Sequence, residues 1–417
     1  MDRTDARELY PLGNLSFSFL SIPLENPFLL AAGPSTDDAQ MVRRAFSAGW
    51  AGAILKTTSV EGTTVDLAYP LMSSLSHRGR DLFGMGNIDL ISRHHVGTVE
   101  EHVRILKREF PSKMVGASIM AGRKEDWQTL VERLVRAGTD LIECSFSCPQ
   151  GSLGEHPGRM LAQSPAATET TARWVKEAAG DTPVSIKITP HVTDILEVAR
   201  AVRRGGCDAV TASNSLQALM GVDIRTFVPH PRLGDLSTYS GLTGPAIKPV
   251  TLRTIAEISR GTAIPVLGTG GASDWRDAVE FMAVGAGAVQ YCTAVMHAGF
   301  RIIEDLRSGL SHYLEEMGFS SPSAIIGRAL PHLAAHEALP RRTVRSRIDE
   351  GRCIGCEVCY LACADGGHGA IRRGEGRIPV IDPERCVGCG LCEWVCPEHC
   401  IAMQVINGTT EVRRPDP

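Results

Sequence analysis

The 417-residue sequence has no apolar run long enough to cross a bilayer, and its first residues, MDRTDARELYPLG, lack the apolar core of a secretory signal. A cytoplasmic protein with no membrane partner is expected. Neither sign of charge is strongly in excess: 43 lysines and arginines face 47 acids, a net charge of −4. That balance gives no general attraction to nucleic acid or to an anionic surface. No G-x-G-x-x-G follows a strand-like run, so a built-in nicotinamide or flavin-adenine dinucleotide site is not expected. Low-complexity tracts are missing, and so are internal repeats, except for one formed by cysteine. The remaining composition, 43% hydrophobic and 22% charged, is that of a globular chain long enough for two or three domains.

The cysteine repeat is specific. Cys353, Cys356, Cys359 and Cys363 are spaced C-x2-C-x2-C-x3-C. Cys386, Cys389, Cys392 and Cys396 repeat that spacing, followed by Pro397. Structural zinc takes four ligands per ion, often as separated pairs, and has no use for three cysteines at two-residue gaps plus a fourth. Disulfides are disfavoured in a reducing compartment. Two four-iron, four-sulfur clusters are the natural reading, with the fourth cysteine of each run ligating the other cluster. One cluster then takes Cys353, Cys356, Cys359 and Cys396, and the other takes Cys386, Cys389, Cys392 and Cys363. Such a module moves single electrons, so the rest of the chain must supply their source or destination.

Before this module, eight short apolar runs alternate with amphipathic stretches: 28–32, 51–57, 115–120, 140–146, 184–189, 208–212, 265–268 and 288–292. Thr36-Asp37-Asp38, Ser164-Pro165, Thr193-Asp194 and Ser273-Asp274 read as helix starts, with Ser273 as the cap of the last. Gly49, Gly138, Gly205 and Gly285 read as stops. Eight strand-helix units in about 300 residues fit a (β/α)8 barrel rather than an open doubly wound sheet. The expected organisation is an α/β (β/α)8 barrel over 1–317, a connector over 318–347 and a small bacterial-type two-cluster ferredoxin domain over 348–417, ending in a polar tail. The connector holds a basic run, Arg341, Arg342, Arg345 and Arg347, read as a solvated face in preference to a docking patch.

Barrel chemistry belongs on the loops after the strands. Gly268-Thr269-Gly270-Gly271 follows the seventh strand and leads into a helix, an arrangement that lets backbone N–H groups approach a phosphate. A tight turn is the competing reading. An iron-sulfur relay needs a partner that takes electrons singly yet performs two-electron chemistry, which flavin mononucleotide does. Lys56 and Lys187 lie within apolar strands, where a charge needs a partner, and the flavin ring is one. The alternative is a pair of strand-end lysines reaching solvent. Cys148, in S-F-S-C-P-Q-G after the fourth strand, is placed for acid-base chemistry. Cys144, Cys207, Cys292 and Cys400 read as small core residues.

Several segments resemble dihydropyrimidine dehydrogenase. They are L-x-K-T at Lys56, S-C-P-x-G at Cys148, K-x-T-P at Lys187, T-A-S-N-S at Asn214, L-T-G-P-A-I-K-P at 242–249, the G-T-G-G turn and the cluster pair. The likeness is to its flavin barrel and adjoining ferredoxin domain, as in the bacterial form split over two subunits, and the cysteine loop is shared with the dihydroorotate dehydrogenase superfamily. The resemblance implies reduction of the 5,6 double bond of uracil or thymine. Electrons would come from a separate subunit that binds flavin-adenine dinucleotide and oxidises NADH or NADPH, within a homo- or hetero-oligomer. It also implies that Cys148 protonates ring carbon 5 and that Asn87, Ser145, Ser147, Asn214 and Ser215 surround the substrate. The implied flavin mononucleotide contacts are Ala32, Gly33, Lys56, Thr57, Lys187, Gly244, Gly268, Gly270, Gly271, Cys292 and Thr293.

Three positions depart from the family pattern: Ser145 and His191 stand where it has asparagine, and Gln150 where it has histidine. A serine cannot offer the paired donor and acceptor of an amide. Another conjugated cyclic amide, or an orotate-like acid, is therefore an open alternative, although the Cys148 loop has no added arginine or lysine to hold a carboxylate. An electron-transfer subunit with no substrate of its own is a second alternative, with Cys148 left unexplained.

Overall fold

The computed structural model describes residues 13–77, 80–147, 160–406 and 411–412. It divides into two compact units between Leu333 and Ala334. In the first unit, eight parallel strands close into a barrel in sequence order: β1 Phe28–Leu30, β2 Gly52–Thr58, β3 Met114–Ile119, β4 Leu141–Ser145, β5 Val184–Lys187, β6 Ala209–Ala212, β7 Val266–Thr269 and β8 Ala286–Tyr291. These are the eight runs read from the sequence, with ends moved by one or two residues. Helices α1 Ala39–Ala48, α2 Val96–Glu109, α3 Lys124–Ala137, α4 Pro165–Ala179, α5 Ile195–Arg204, α6 Lys248–Thr262 and α7 Trp275–Ala283 cover the strands, and α8 Thr293–Ala298 and α9 Ile302–Glu316 follow β8.

Local chemistry sets the helix ends. Asp38 accepts from Met41 N at 2.8 Å, Ser164 from Ala167 N at 3.3 Å ahead of Pro165, and Asp194 from Leu196 N at 2.8 Å. The cap of α7 lies one residue later than expected. Asp274, not Ser273, accepts from Asp277 N at 3.0 Å, while Asp277 reaches back to the N–H of Ser273 at 2.7 Å. The Ser273 hydroxyl is turned away, donating to Gly271 O.

The barrel interior follows from strand alternation. On β4 and just past its end, Ile142, Cys144 and Phe146 join the core beneath the helices, where Trp127 meets the Phe146 ring edge-on at 5.5 Å. Trp127, Leu130, Val131 and Leu134 form the buried i, i+3, i+4, i+7 face of α3. Leu141, Glu143 and Ser145 alternate with that set. At the N-terminal end, Leu29, Ile54, Met114, Leu141, Ala209, Leu267 and Ala288 form a separate apolar cluster with Phe19 and Leu24. Phe19 and Leu24 belong to a hairpin, Phe17–Phe19 with Ile22–Leu24, that plugs this end.

One sheet was not read from the sequence. Strands Met72–His77, Arg80–Asn87, Leu216–Ala218 and Ser240–Thr243 form a four-stranded antiparallel sheet from the segments following β2 and β6.

The second unit holds a sheet of Val344–Ile348, Ile401–Val405 and Glu411–Val412, a hairpin of Ile371–Arg373 with Pro379–Ile381, and helices α10 Val358–Ala364 and α11 Leu391–Val395. Its first strand lies mostly in the stretch read as a connector, whose remainder contains the short 3-10 turns Pro322–Ile325, Leu330–His332 and His336–Ala338. Among the described residues no helix is long and apolar enough to cross a membrane.

Gly287, in β8, faces the Phe19 ring so closely that a Cβ there would clash with it. Gly287→Ala is expected to destabilise the barrel by about 1–3 kcal/mol through overpacking. Adding Phe19→Leu should recover part of that loss, as read from denaturant midpoints of the single and double variants.

Candidate active site and cluster centres

At the C-terminal ends of the strands, both lysines are buried and paired with acids. Lys56 Nζ lies 3.0 and 2.9 Å from the two carboxylate oxygens of Asp89, with both side chains under 10% exposed. Lys187 Nζ lies 3.8 Å from Glu143 Oε1. Glu143 is fully buried, and its Oε2 accepts from Thr211 Oγ1 and Gln290 Nε2, each at 3.0 Å. Thr211 in turn meets Ser185 Oγ at 2.8 Å, and Thr57 meets Ser118 Oγ at 2.8 Å. Glu143 Oε1 and Gln290 Oε1 have no hydrogen-bond partner, so the contact to Lys187 is electrostatic alone. The reading of the lysines as solvent-reaching does not hold.

Three glycine turns lie on the loops of the first unit, Gly33 after β1, Gly244 after the strand Ser240–Thr243 and Gly270-Gly271 after β7. A Cβ on Gly33 would lie 2.5 Å from Cys292 Sγ, and one on Gly271 only 2.6 Å from Lys248 N. Gly244 lies against the Thr293 methyl. Gly270 and Gly271 have φ of 112° and 98°, a region that favours glycine. Gly268 differs: its missing side chain would face Ala286, Phe281 and Ile255, so helix packing accounts for it. Cys292 is half-buried at the start of α8 rather than a core residue. Burial pushes its thiol up, against the pull of Lys187 and Lys56 and with the push of Asp89, so all four groups share one neighbourhood.

The ring-binding candidates fall into two linked pairs. Asn87 Nδ2 donates to Gly241 O at 2.9 Å, and Ser215 Oγ lies against that same glycine. Asn214 Nδ2 donates to Ser147 Oγ at 2.8 Å, and its Oδ1 accepts from Ser215 N. Ser145, the last residue of β4, and Ser147, just beyond it, are both buried, on either side of Phe146 in the chain. Ala32 is half-buried beside Gly33. Cys148 and Gln150 lie outside the described residues. His191 does not stand free: its Nε2 accepts from Gln217 N at 2.6 Å, tying the turn after β5 to the antiparallel sheet.

In the second unit, Cys353, Cys356, Cys359 and Cys396 line one hollow, and Cys363, Cys386, Cys389 and Cys392 line another. Cys359 and Cys363 are one turn apart on α10 yet border different hollows. Burial pushes Cys386 up, but the N–H groups of Ser346 and Gly388, the Ser346 hydroxyl and the Arg345 charge outweigh it and hold the thiol below its usual value. Cys400 is buried, as a core residue would be, but it also lines the first hollow. Cys144 and Cys207 are buried core thiols, and burial raises Cys207 to about 12.

Residues 14–314 match the dihydroorotate dehydrogenase family and residues 346–403 the 4Fe-4S dicluster domain. The chain belongs to the dihydroorotate dehydrogenase family. It is 36% identical to the NAD-dependent dihydropyrimidine dehydrogenase subunit PreA of Escherichia coli over 94% of this chain and 95% of that one. Identity to the chloroplastic dihydropyrimidine dehydrogenase (NADP(+)) of Arabidopsis thaliana is 30%, over 79% and 80% of the two chains. For the dihydroorotate dehydrogenase B (NAD(+)) catalytic subunit of Pyrococcus abyssi it is 33%, over 76% and 99%. The protein is thus a dihydropyrimidine dehydrogenase-like oxidoreductase acting on CH–CH bonds, with flavin mononucleotide and two iron-sulfur clusters as cofactors.

The residues present fit both groups. Glycine turns too tight for a Cβ, two ammonium groups and unsatisfied buried acceptors beside them suit an anionic, amide-bearing flavin. Four sulfurs around each of two hollows suit two clusters. Asp89, Glu143 and Ser346 were missed in the sequence. The criterion used for the lysines, a charge inside an apolar strand, also points to Glu143 in L-I-E-C-S.

Two outcomes follow from this geometry. Asp89→Ala leaves a buried ammonium unpaired and should cost about 3–5 kcal/mol in the flavin-free protein, whereas Lys56→Met with Asp89→Leu should cost far less. Denaturant titration of the wild type and the two variants tests this. Burial holds the His191 imidazole below its ordinary 6.5. The unfolded chain then takes up its proton at a higher pH than the native one. The His191 contribution to stability is complete above pH 6.5 and falls as pH drops below it. The stability difference between wild type and His191→Phe should shrink accordingly.

Proposed function

We propose that this chain reduces the 5,6 double bond of a pyrimidine base, uracil or thymine, to the dihydro form. The observation that carries this is the linked set Asn87, Ser215, Asn214 and Ser147. It presents amide and hydroxyl groups where a ring with fixed donors and acceptors would sit. Leaving one such group unpaired in a closed site costs about 1–3 kcal/mol, which is how the set would select its ring. When bound, flavin mononucleotide supplies the hydride for ring carbon 6, fed electron by electron through the clusters.

Cys148 gives the proton to ring carbon 5. Ser147 and Asn214 hold the substrate beside it, and Ser145 fills the position of a longer amide, leaving extra room at that edge. Lys56, Lys187, Thr57 and the turns at Ala32-Gly33, Gly244, Gly270-Gly271 and Cys292-Thr293 hold the flavin, with Lys187 and Lys56 placing positive charge beside it. Cys353, Cys356, Cys359 and Cys396 ligate one cluster, and Cys386, Cys389, Cys392 and Cys363 the other. The catalytic barrel spans 1–317, and the cluster module spans 348–417 together with the strand Val344–Ile348 that pairs with it. A separate subunit that binds flavin-adenine dinucleotide and oxidises NADH or NADPH supplies the electrons, in keeping with the "NAD-dependent" and "subunit" in the name of the Escherichia coli relative.

Protein reduced anaerobically and mixed with uracil or thymine should reoxidise its flavin and release the dihydro base. Cys148→Ala should slow that step by roughly 10²–10⁴-fold, with flavin and cluster absorbance unchanged. A flavin that stays reduced with both bases removes the pyrimidine assignment. Unchanged turnover in the variant removes Cys148 as the acid.

A further inference from the structure

Two side chains of the cluster module ligate no iron in the assignment above and yet lie against ligand sulfurs. Ser346, in the strand Val344–Ile348, has its Oγ 2.9 Å from Cys392 Sγ and 3.8 Å from Cys386 Sγ, with the Met403 thioether at 3.7 Å. It lines the hollow of Cys363, Cys386, Cys389 and Cys392. Cys400, 6% exposed, has its Sγ 3.4 Å from Cys396 Sγ and lines the other hollow. Each hollow therefore has a non-ligand side-chain donor beside its ligand sulfurs, Ser346 nearest Cys392 and Cys400 nearest Cys396. Strand pairing holds both in place: Ser346 is registered opposite Met403, and Asp349 N donates to Cys400 O at 2.8 Å.

An iron-bound cysteine is a thiolate and can only accept. That fixes the direction of both bonds, with the Ser346 hydroxyl donating to Cys392 and the Cys400 thiol to Cys396. A donor on a ligand sulfur withdraws electron density and stabilises the reduced cluster, which makes its potential more positive. A hydroxyl is a stronger donor than a thiol, so the Ser346 effect should be the larger.

We propose that Ser346 and Cys400 set the potentials of the two clusters separately, Ser346 acting on the cluster of Cys363, Cys386, Cys389 and Cys392, and Cys400 on that of Cys353, Cys356, Cys359 and Cys396. This rests on the proposed ligand sets. Each residue is a positioning donor, and midpoint potentials are the readout that a purely structural role would leave unmoved.

The test is an anaerobic potentiometric titration of the full chain with both clusters loaded, followed by electron paramagnetic resonance. Ser346→Ala should lower one midpoint by the equivalent of a threefold or greater change in the reduction equilibrium, about 28 mV for one electron, and leave the other in place. Cys400→Ala should lower only the other midpoint, by less. Ser346→Thr, which keeps the hydroxyl, should stay near wild type, and Cys400→Ser, which puts a stronger donor in place of the thiol, should not lower its midpoint. Unmoved midpoints in both alanine variants with full iron content overturn the proposal. Loss of a cluster in Cys400→Ala overturns the ligand assignment instead, because Cys400 would then be a ligand. One shared midpoint moving in both variants overturns the division of one donor per cluster.

Discussion

The barrel is built around a carboxylate with no access to water. Glu143 is fully buried on β4, where an isolated charge would cost several kcal/mol by about any reference. It is tolerated because Thr211 and Gln290 bond one oxygen and the Lys187 ammonium faces the other at 3.8 Å. These partners come from β5, β6 and β8, so one side chain ties four strands together at one level. Below that level the interior is apolar and plugged by Phe19 and Leu24; at and above it lie Ser145, Lys187, Lys56 and Asp89. The change from apolar to polar along the barrel axis is what makes one end a site and the other a base.

The strand ends then aim the site. Trp127 on α3 holds the Phe146 ring beneath the helices, and alternation turns Ser145 and Ser147 the other way. Phe146 does no chemistry, but without its burial the two serines would lose their direction just before Cys148. The antiparallel sheet contributes from another side. It pairs Asn87 with Gly241 in register, which brings Asn87 and Ser215 to one place although 128 residues separate them in the chain. The position of each ring-binding candidate is thus fixed by an element that carries no reactive group.

What was legible in the sequence was local. Eight strands, three of four helix caps, and two cysteine runs are each encoded within a few residues, and each has a spacing that admits few alternatives. The fourth cap slipped by one residue because Ser273 and Asp274 are both good caps, and only the reach of Asp277 back to the chain selects between them. The antiparallel sheet was illegible because its strands are short or rich in serine and glycine, lack alternating hydrophobics, and are joined into one sheet by a pairing between segments more than 100 residues apart. The same holds for Asp89 as the partner of Lys56, and for Ser346 beside Cys392. Each is ordinary in its own segment and acquires meaning only from a segment that folding brings to it. Glu143 was legible, since a charge inside an apolar strand is as visible for an acid as for a lysine.

The cluster module shows how such placement produces direction. Each run sets its second cysteine, Cys356 or Cys389, at the surface, and keeps its third, Cys359 or Cys392, buried. Exposed apolar side chains, Ile354 and Val387, stand two residues before the surface cysteines. A cluster held this way is insulated on one side and approachable on the other, which suits a centre that must pass electrons without exposing them to solvent chemistry. The two runs repeat this arrangement almost residue for residue, so their spacing cannot make one cluster a better acceptor than the other. The difference has to come from non-ligand groups that the repeat does not duplicate. The structure offers an unlike pair of such groups, a hydroxyl beside Cys392 and a thiol beside Cys396.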